Sequence, residues 1–217
     1  MLKGVIFDMD GVLIDSHPIH KRAWRKFFET LELGVSDQEL DFVLDGRKKE
    51  DILRHFLGNL PDSEIRNYGH KKEMLFREEA MTIEPIAGVL ELLEELTGRD
   101  IPIAVASCGS HSRVRYILDQ LKIYEWFEAI VTADDIHHGK PDPEVFCKAA
   151  DFLGANRGDL LVCEDAVSGV RAAKAAGMKC LGVTDPTRAT ELLQAGADRV
   201  VPNFSSLSLA ELETMLS

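Results

Sequence analysis

The chain has 217 residues, 45% of them hydrophobic and 29% charged, a composition typical of a globular protein with one sizeable core and a smaller unit. Its formal net charge of -12 excludes the basic surface that nucleic-acid backbones require, so no nucleic-acid partner is expected. It contains no run of about 20 apolar residues, no signal-peptide pattern and no CxxC spacing, which predicts a cytoplasmic protein without membrane contacts, zinc sites or disulfides.

The first predicted strand, Val5-Ile6-Phe7, runs directly into Asp8-Met9-Asp10 and then Gly11. Carboxylates at i and i+2 lie on the same side of an extended backbone, where their repulsion is costly unless a cation or a proton offsets it. Ligands of open α/β sheets bind in the crevice beyond the carboxyl ends of such strands. The pair therefore predicts a metal site or an acid–base pair, although helix capping by one of the two acids remains an alternative.

Residues 15–82 show helical spacing of apolar side chains and no strand-like run, as in Trp24, Phe27, Phe28 and Leu31. This predicts a unit of about four helices inserted after the first strand, with its own aromatic core. Short connections on both sides suit a hinged lid. Helix starts are indicated at Pro18, Ser36 and Pro61-Asp62.

From residue 83 onward, strand and helix patterns alternate, which predicts βαβ units and a parallel sheet. The predicted core domain therefore comprises residues 1–14 and 83–217. Its later strands are predicted at 101–106, 129–132, 160–163, 180–183 and 199–201. Its helices are predicted near 88–98, 110–121, 142–153, 166–176 and 207–216.

Polar residues follow three more of these elements, so we expect them at the same sheet edge as Asp8. Ser107 and the backbone N–H groups after it suit a phosphate or carboxylate, although an ordinary helix N-cap explains this serine equally well. Lys140, stiffened by nearby prolines, can neutralise an anion there, while an exposed loop lysine is the alternative. Glu164 and Asp165 beside the first acids favour a hard cation such as Mg²⁺, although Asp165 alone could cap a helix.

In chain order, Asp8-x-Asp10, Ser107, Lys140 and Glu164-Asp165 resemble the four signature motifs of the haloacid dehalogenase-like superfamily. The inserted helices are similar to the cap of its subgroup of β-phosphoglucomutases and small-metabolite phosphatases. The resemblance extends over essentially the whole chain. It implies a Rossmann-like α/β core with an all-helical cap, dependence on Mg²⁺, and phosphoryl transfer through an aspartyl phosphate.

The resemblance also implies a role for each core residue. Asp8 would be the nucleophile, and Asp10 the general acid and then the general base. Mg²⁺ would be held by the Asp8 carboxylate, the Asp10 backbone carbonyl and Asp165, with Glu164 as a further ligand or neighbour. The transferring phosphoryl group would be bound by Ser107, Gly109 and Lys140.

The cap would contact the part of the substrate that does not react. His20 matches a histidine that engages the acid/base aspartate in the subgroup, while an exposed helix histidine is the alternative. Arg47 and Lys49 lie in a segment that resembles the cap specificity loop, where they could meet a sugar phosphate. The chain departs from the mutases at Asp45 and at Lys49, which replaces a phosphate-binding arginine. Lys72 is expected to help position the acid/base aspartate.

These features predict a magnesium-dependent phosphatase for a small phosphorylated metabolite such as a sugar phosphate. The departures in the cap favour it over the first alternative, a β-phosphoglucomutase-type transfer between sugar hydroxyls. A non-catalytic binding protein is a further alternative, disfavoured because no implied catalytic position is missing. We expect a monomer or a weak homodimer.

Overall fold

The computed structural model describes residues 2–216, which form six β-strands and ten α-helices. The strands are β1 (Gly4–Phe7), β2 (Ile103–Ala106), β3 (Ala129–Val131), β4 (Leu160–Glu164), β5 (Lys179–Val183) and β6 (Arg199–Val201). The helices are α1 (His17–Glu29), α2 (Asp37–Leu40), α3 (Lys49–Leu57), α4 (Asp62–Glu79), α5 (Val89–Gly98), α6 (His111–Gln120), α7 (Glu144–Leu153), α8 (Val167–Ala175), α9 (Ala189–Ala195) and α10 (Leu209–Thr214). In the part of the chain that the structure describes, no helix has the length and apolarity needed to cross a bilayer.

The six strands form one parallel sheet in the order β3-β2-β1-β4-β5-β6. Both of its faces are covered by apolar side chains, which is why the strands appear in the sequence as continuous hydrophobic runs. In the register, Phe7 of β1 lies level with Val105 of β2 and Cys163 of β4. The residues that follow these strands therefore meet at one edge, and the predicted Rossmann-like α/β fold is confirmed.

Helices α1 to α4 follow β1 and pack around a hydrophobic cluster separate from the sheet. Trp24, Phe27 and Phe28 of the predicted aromatic stripe are buried in this cluster. The two segments that join these helices to the sheet meet at an isolated antiparallel bridge between Ile14 and Pro85. We call α1 to α4 and their loops the cap, while the domain boundaries themselves remain a prediction.

The structure differs from the predicted elements in two places. Helix α9 was not predicted, because its seven residues are too few to show a clear helical period. Glu164 was expected to follow a strand, but it is the last residue of β4 and lies level with Gly182 of β5. Glu164 is thus part of the sheet, and its carboxylate accepts from the backbone N–H groups that directly follow the strand.

Candidate active site

Lys140 lies between two carboxylates at the carboxyl edge of the sheet. Its Nζ donates to Asp8 Oδ1 at 2.6 Å and to Glu164 Oε1 at 2.5 Å, and its side chain is fully buried. Burial disfavours the ammonium, but Asp8 and Glu164 outweigh it and raise the pKa of Lys140. The lysine is therefore a fixed positive charge against one oxygen of Asp8.

Glu164 is committed to local contacts through both of its oxygens. Oε1 accepts from Lys140, and Oε2 accepts from the backbone N–H groups of Asp165 and Ala166, each at 2.8 Å. A Cβ at position 169 would collide with this carboxylate, so Gly169 is required for its placement. Through these contacts Glu164 fixes the position of the Lys140 ammonium. Its role as a metal ligand remains a prediction.

Asp8 and Asp165 are buried carboxylates whose neighbouring cations do not fully offset the cost of burial. Burial raises the pKa of Asp8 to about 7, even with Lys140 beside it. Burial also raises the pKa of Asp165, and the charge of Asp8 adds to that shift. Oδ2 of Asp165 is buried and accepts no hydrogen bond among the described residues, although His17 Nε2 lies 2.8 Å away. A cation bound beside Asp8 and Asp165 would compensate the charges of these two carboxylates.

The donor set fits Mg²⁺, which prefers oxygen ligands and commonly takes one or two carboxylates plus waters. The Asp165 carboxylate lies against Gly11, where a Cβ would collide with it, and Gly11 has a φ of +76°. This brings the carboxylate to the backbone that follows Asp10. Within residues 2–216, no group of three His, Cys, Asp or Glu side chains forms a ready-made metal cluster. Asp8 and Asp165 are therefore the carboxylates that suit the ion.

Asp10 is held by side chains from both the core and the cap. Arg113 of α6 donates to Oδ2 at 2.7 Å and to Oδ1 at 3.2 Å, and the Ser16 hydroxyl donates to Oδ1 at 2.7 Å. His20 Nε2 lies 3.1 Å from the same Oδ1. Burial would raise the pKa of Asp10, but Arg113 and His20 outweigh it and hold that pKa well below its usual range. Asp10 is thus held as an ionised carboxylate.

A second polar chain reaches Asp10 from the cap. Lys72 Nζ lies 3.0 Å from His20 Nδ1, and both side chains are buried. Burial lowers the pKa of His20 to about 3 and that of Lys72 to about 7. The ammonium of Lys72 also faces the rings of Trp24 and Phe76, at 5.2 and 5.1 Å from their centroids. His20 thus contacts Asp10 directly and Lys72 reaches Asp10 only through His20, while the roles of both residues stay predictions.

Ser107 follows β2 and lies buried beside these groups. Its Oγ accepts from the Gly109 N–H at 3.0 Å, so the hydroxyl fixes the turn that leads into α6. A Cβ at Gly109 would collide with the Arg113 guanidinium, so the glycine leaves space for that side chain. The predicted phosphate contacts of Ser107 and Gly109 remain predictions.

A cavity joins the cap to the sheet edge. Predicted residues that line it are Asp8, Asp10, His20, Arg47, Lys49, Lys72, Gly109 and Asp165. The other predicted residues, Ser107, Lys140 and Glu164, are buried beside it. The chain thus brings its predicted nucleophile, acid/base and cap residues to one enclosed space.

Among the cavity residues that were not predicted, His17, Glu73 and Arg113 have acidic or basic side chains. A signal existed for Arg113, since it lies four residues before the buried Ile117 and so on the inner face of α6. The i, i+3 spacing of His17 and His20 similarly places both on one face of α1. Nothing in the sequence separates Glu73 from the other acidic residues of its helix.

Comparison with known proteins gives consistent matches over the whole chain. A model of the haloacid dehalogenase-like hydrolase family matches residues 5–183. The β-phosphoglucomutase of Bacillus subtilis is 32% identical over 217 residues, covering 96% of this chain and 92% of that protein. The validoxylamine A 7'-phosphate phosphatase of Streptomyces hygroscopicus subsp. limoneus is 31% identical over 201 residues, covering 90% and 92%. The crystal structure of a β-phosphoglucomutase from Clostridium difficile aligns with a TM-score of 0.89 at 25% identity, covering 100% and 97%.

Proposed function

The chain belongs to the haloacid dehalogenase-like hydrolases, and from that premise we propose that it is a magnesium-dependent phosphatase of small phosphorylated metabolites. It is an enzyme of the phosphoric monoester hydrolase type, in keeping with the phosphatase among its relatives. The observation that carries the proposal is the buried Asp8 carboxylate, which lines the cavity while Lys140 binds one of its oxygens. The acid/base candidate Asp10 lines the same cavity.

In the first step, an Asp8 oxygen bonds to phosphorus while the bond from phosphorus to the leaving oxygen breaks. Asp10 gives a proton to that leaving oxygen, which makes the departing group a neutral alcohol. In the second step, water attacks phosphorus, Asp10 takes a proton from the water, and Asp8 is freed with release of phosphate. Mg²⁺, bound by Asp8, Asp165 and the Asp10 backbone carbonyl, would supply positive charge toward the phosphoryl oxygens.

The ionised state of Asp10 suits the second step directly, because a base must be unprotonated. The first step requires a proton on Asp10. Arg113 and His20 lower the pKa of Asp10, so their interaction with it has to weaken when substrate binds. Lys140 keeps one Asp8 oxygen fixed throughout, which orients the other toward phosphorus.

Replacing the nucleophile tests this proposal. We expect Asp8→Asn to abolish phosphate release from 4-nitrophenyl phosphate in the presence of Mg²⁺, because an amide cannot form the aspartyl phosphate. Phosphate is measured colorimetrically, with circular dichroism to verify folding. The matched control is Asp151→Asn, an exposed aspartate on α7, which should keep the activity of the parent. Activity retained in Asp8→Asn would remove Asp8 from its assigned role.

A phosphomutase is the second candidate, because β-phosphoglucomutases are among the relatives of this chain. The two activities are separated by incubating the enzyme with β-glucose 1-phosphate and Mg²⁺. A phosphatase releases phosphate faster than it forms glucose 6-phosphate, whereas a mutase gives the opposite order. Cytoplasmic location and a monomeric or weakly dimeric state stay predictions from the sequence.

A further inference from the structure

Glu73 presents a buried carboxylate oxygen that has no partner. It lies on α4 beside Lys72, is 9% exposed, and lines the same cavity as Asp8 and Asp10. Its Oε1 is buried without a hydrogen bond, and no contact of its side chain with a cation reaches ion-pair distance among residues 2–216. Burying a carboxylate oxygen in this way is unfavourable unless a donor arrives from elsewhere.

Lys72 and Arg113 interact electrostatically with Glu73, but the contacts at hydrogen-bond distance that both make are with other groups. Lys72 contacts His20 at 3.0 Å, and Arg113 binds both oxygens of Asp10. Arg47, which also lines the cavity, has a buried Nε that lacks an acceptor. Among the described residues that line the cap side of the cavity, Glu73 thus has a buried acceptor without a hydrogen bond, and Arg47 has a buried donor without one.

On the basis of the proposed phosphatase function, we propose that Glu73 selects the leaving group by accepting hydrogen bonds from its hydroxyls. A hydroxyl can donate to a carboxylate while it accepts from a guanidinium, so it suits both Glu73 and Arg47. The substrate class is therefore a phosphate monoester whose carbon skeleton carries several hydroxyl groups.

The test compares two substrates with the same six-carbon chain, sorbitol 6-phosphate and hexyl phosphate, which differ in their hydroxyls. The readout is the ratio of the two kcat/KM values, measured by phosphate release with Mg²⁺. We expect Glu73→Gln to lower this ratio about tenfold, and Glu73→Met, which has no oxygen acceptor, to lower it further. The control Glu78→Gln changes an exposed glutamate of the same helix and should leave the ratio as it is.

An unchanged ratio in both Glu73 variants would overturn the assignment. So would an equal loss on both substrates, since a purely structural role affects them alike. Failure of the proposed function has a different signature, in which the parent enzyme releases no phosphate from either substrate or from 4-nitrophenyl phosphate. If the parent enzyme hydrolyses hexyl phosphate and the Glu73 variants have the same kcat/KM ratio as the parent, only the role of Glu73 is refuted and the proposed function stands.

Discussion

Arg113 reaches Asp10, the proposed acid/base residue, from the core side of the cavity and donates to both of its oxygens. A planar guanidinium can bridge the two oxygens of Asp10, whereas an ammonium acts as a single point charge. Gly109 provides the space that this side chain occupies. The geometry therefore assigns Arg113 to positioning Asp10, in addition to keeping it ionised.

We expect Arg113→Lys to lower kcat about tenfold or more on an alkyl phosphate, because Asp10 loses its fixed orientation for proton transfer, a contribution of ~10²–10⁴-fold in general. On 4-nitrophenyl phosphate the loss should be smaller, since nitrophenolate leaves with little need of a proton. Steady-state kinetics on both substrates measure the difference. Arg115→Lys is the matched control, because Arg115 is exposed on the same helix and pairs with Asp119. Equal losses on the two substrates would contradict a positioning role.

At the scale of the elements, α4 is unusual because one of its buried side chains is a lysine, Lys72. Lys72 lies against Trp24 and Phe76, and burial lowers its pKa from 10.5 to about 7. Below pH 7 the lysine is charged in both the folded and the unfolded protein, so the full cost of burying the charge reduces stability. Between pH 7 and 10.5 the folded lysine is neutral while the unfolded one still binds a proton, so stability rises with pH.

Lys72→Met should therefore raise the free energy of unfolding at pH 6.5, by about 1–4 kcal/mol, and the gain should shrink at pH 9.5. Phosphatase activity should fall in the same variant, because His20 loses its contact with the ammonium. Urea denaturation at the two pH values measures the stability. Lys71→Met, at the exposed neighbouring position, should show neither effect. A gain that grows between pH 6.5 and 9.5 would be inconsistent with a buried charge at Lys72.

The elements that the sequence predicts well are those whose signal is local. Buried parallel strands are apolar runs, and Asp8, Ser107 and Asp165 follow such runs, so their meeting at one edge could be predicted from strand ends alone. Arg113 and Glu73 depend on how α6 and α4 pack against residues far away in the sequence. No local pattern encodes that packing, which explains why the polar network around Asp10 was only partly predicted.

At the scale of the whole molecule, polar contacts help to hold the cap closed onto the core. Lys48 Nζ donates to the backbone carbonyls of Ala133 at 3.1 Å and Ile136 at 2.9 Å. Gly139 leaves the space through which the Lys48 side chain passes, since a Cβ there would collide with it. Besides Lys48, the cap residue Asp45 accepts hydrogen bonds from the Ser168 backbone N–H and hydroxyl at the start of α8. Closure thus combines these polar contacts with apolar packing of cap residues such as Ile19 and Phe76 against the hydrophobic cluster beside the sheet.

Lys48→Ala removes two charge-assisted hydrogen bonds from the closed state and leaves the hydrophobic packing unchanged. It should therefore shift the population toward open molecules. Because only closed molecules enclose the substrate, we expect KM to rise about tenfold while kcat changes little. Small-angle scattering should show a larger radius of gyration for the variant without substrate. Arg25→Ala is the control, since Arg25 pairs with Asp37 inside the cap. Unchanged KM and radius would mean that the apolar contacts and the Asp45–Ser168 contact hold the cap closed without Lys48.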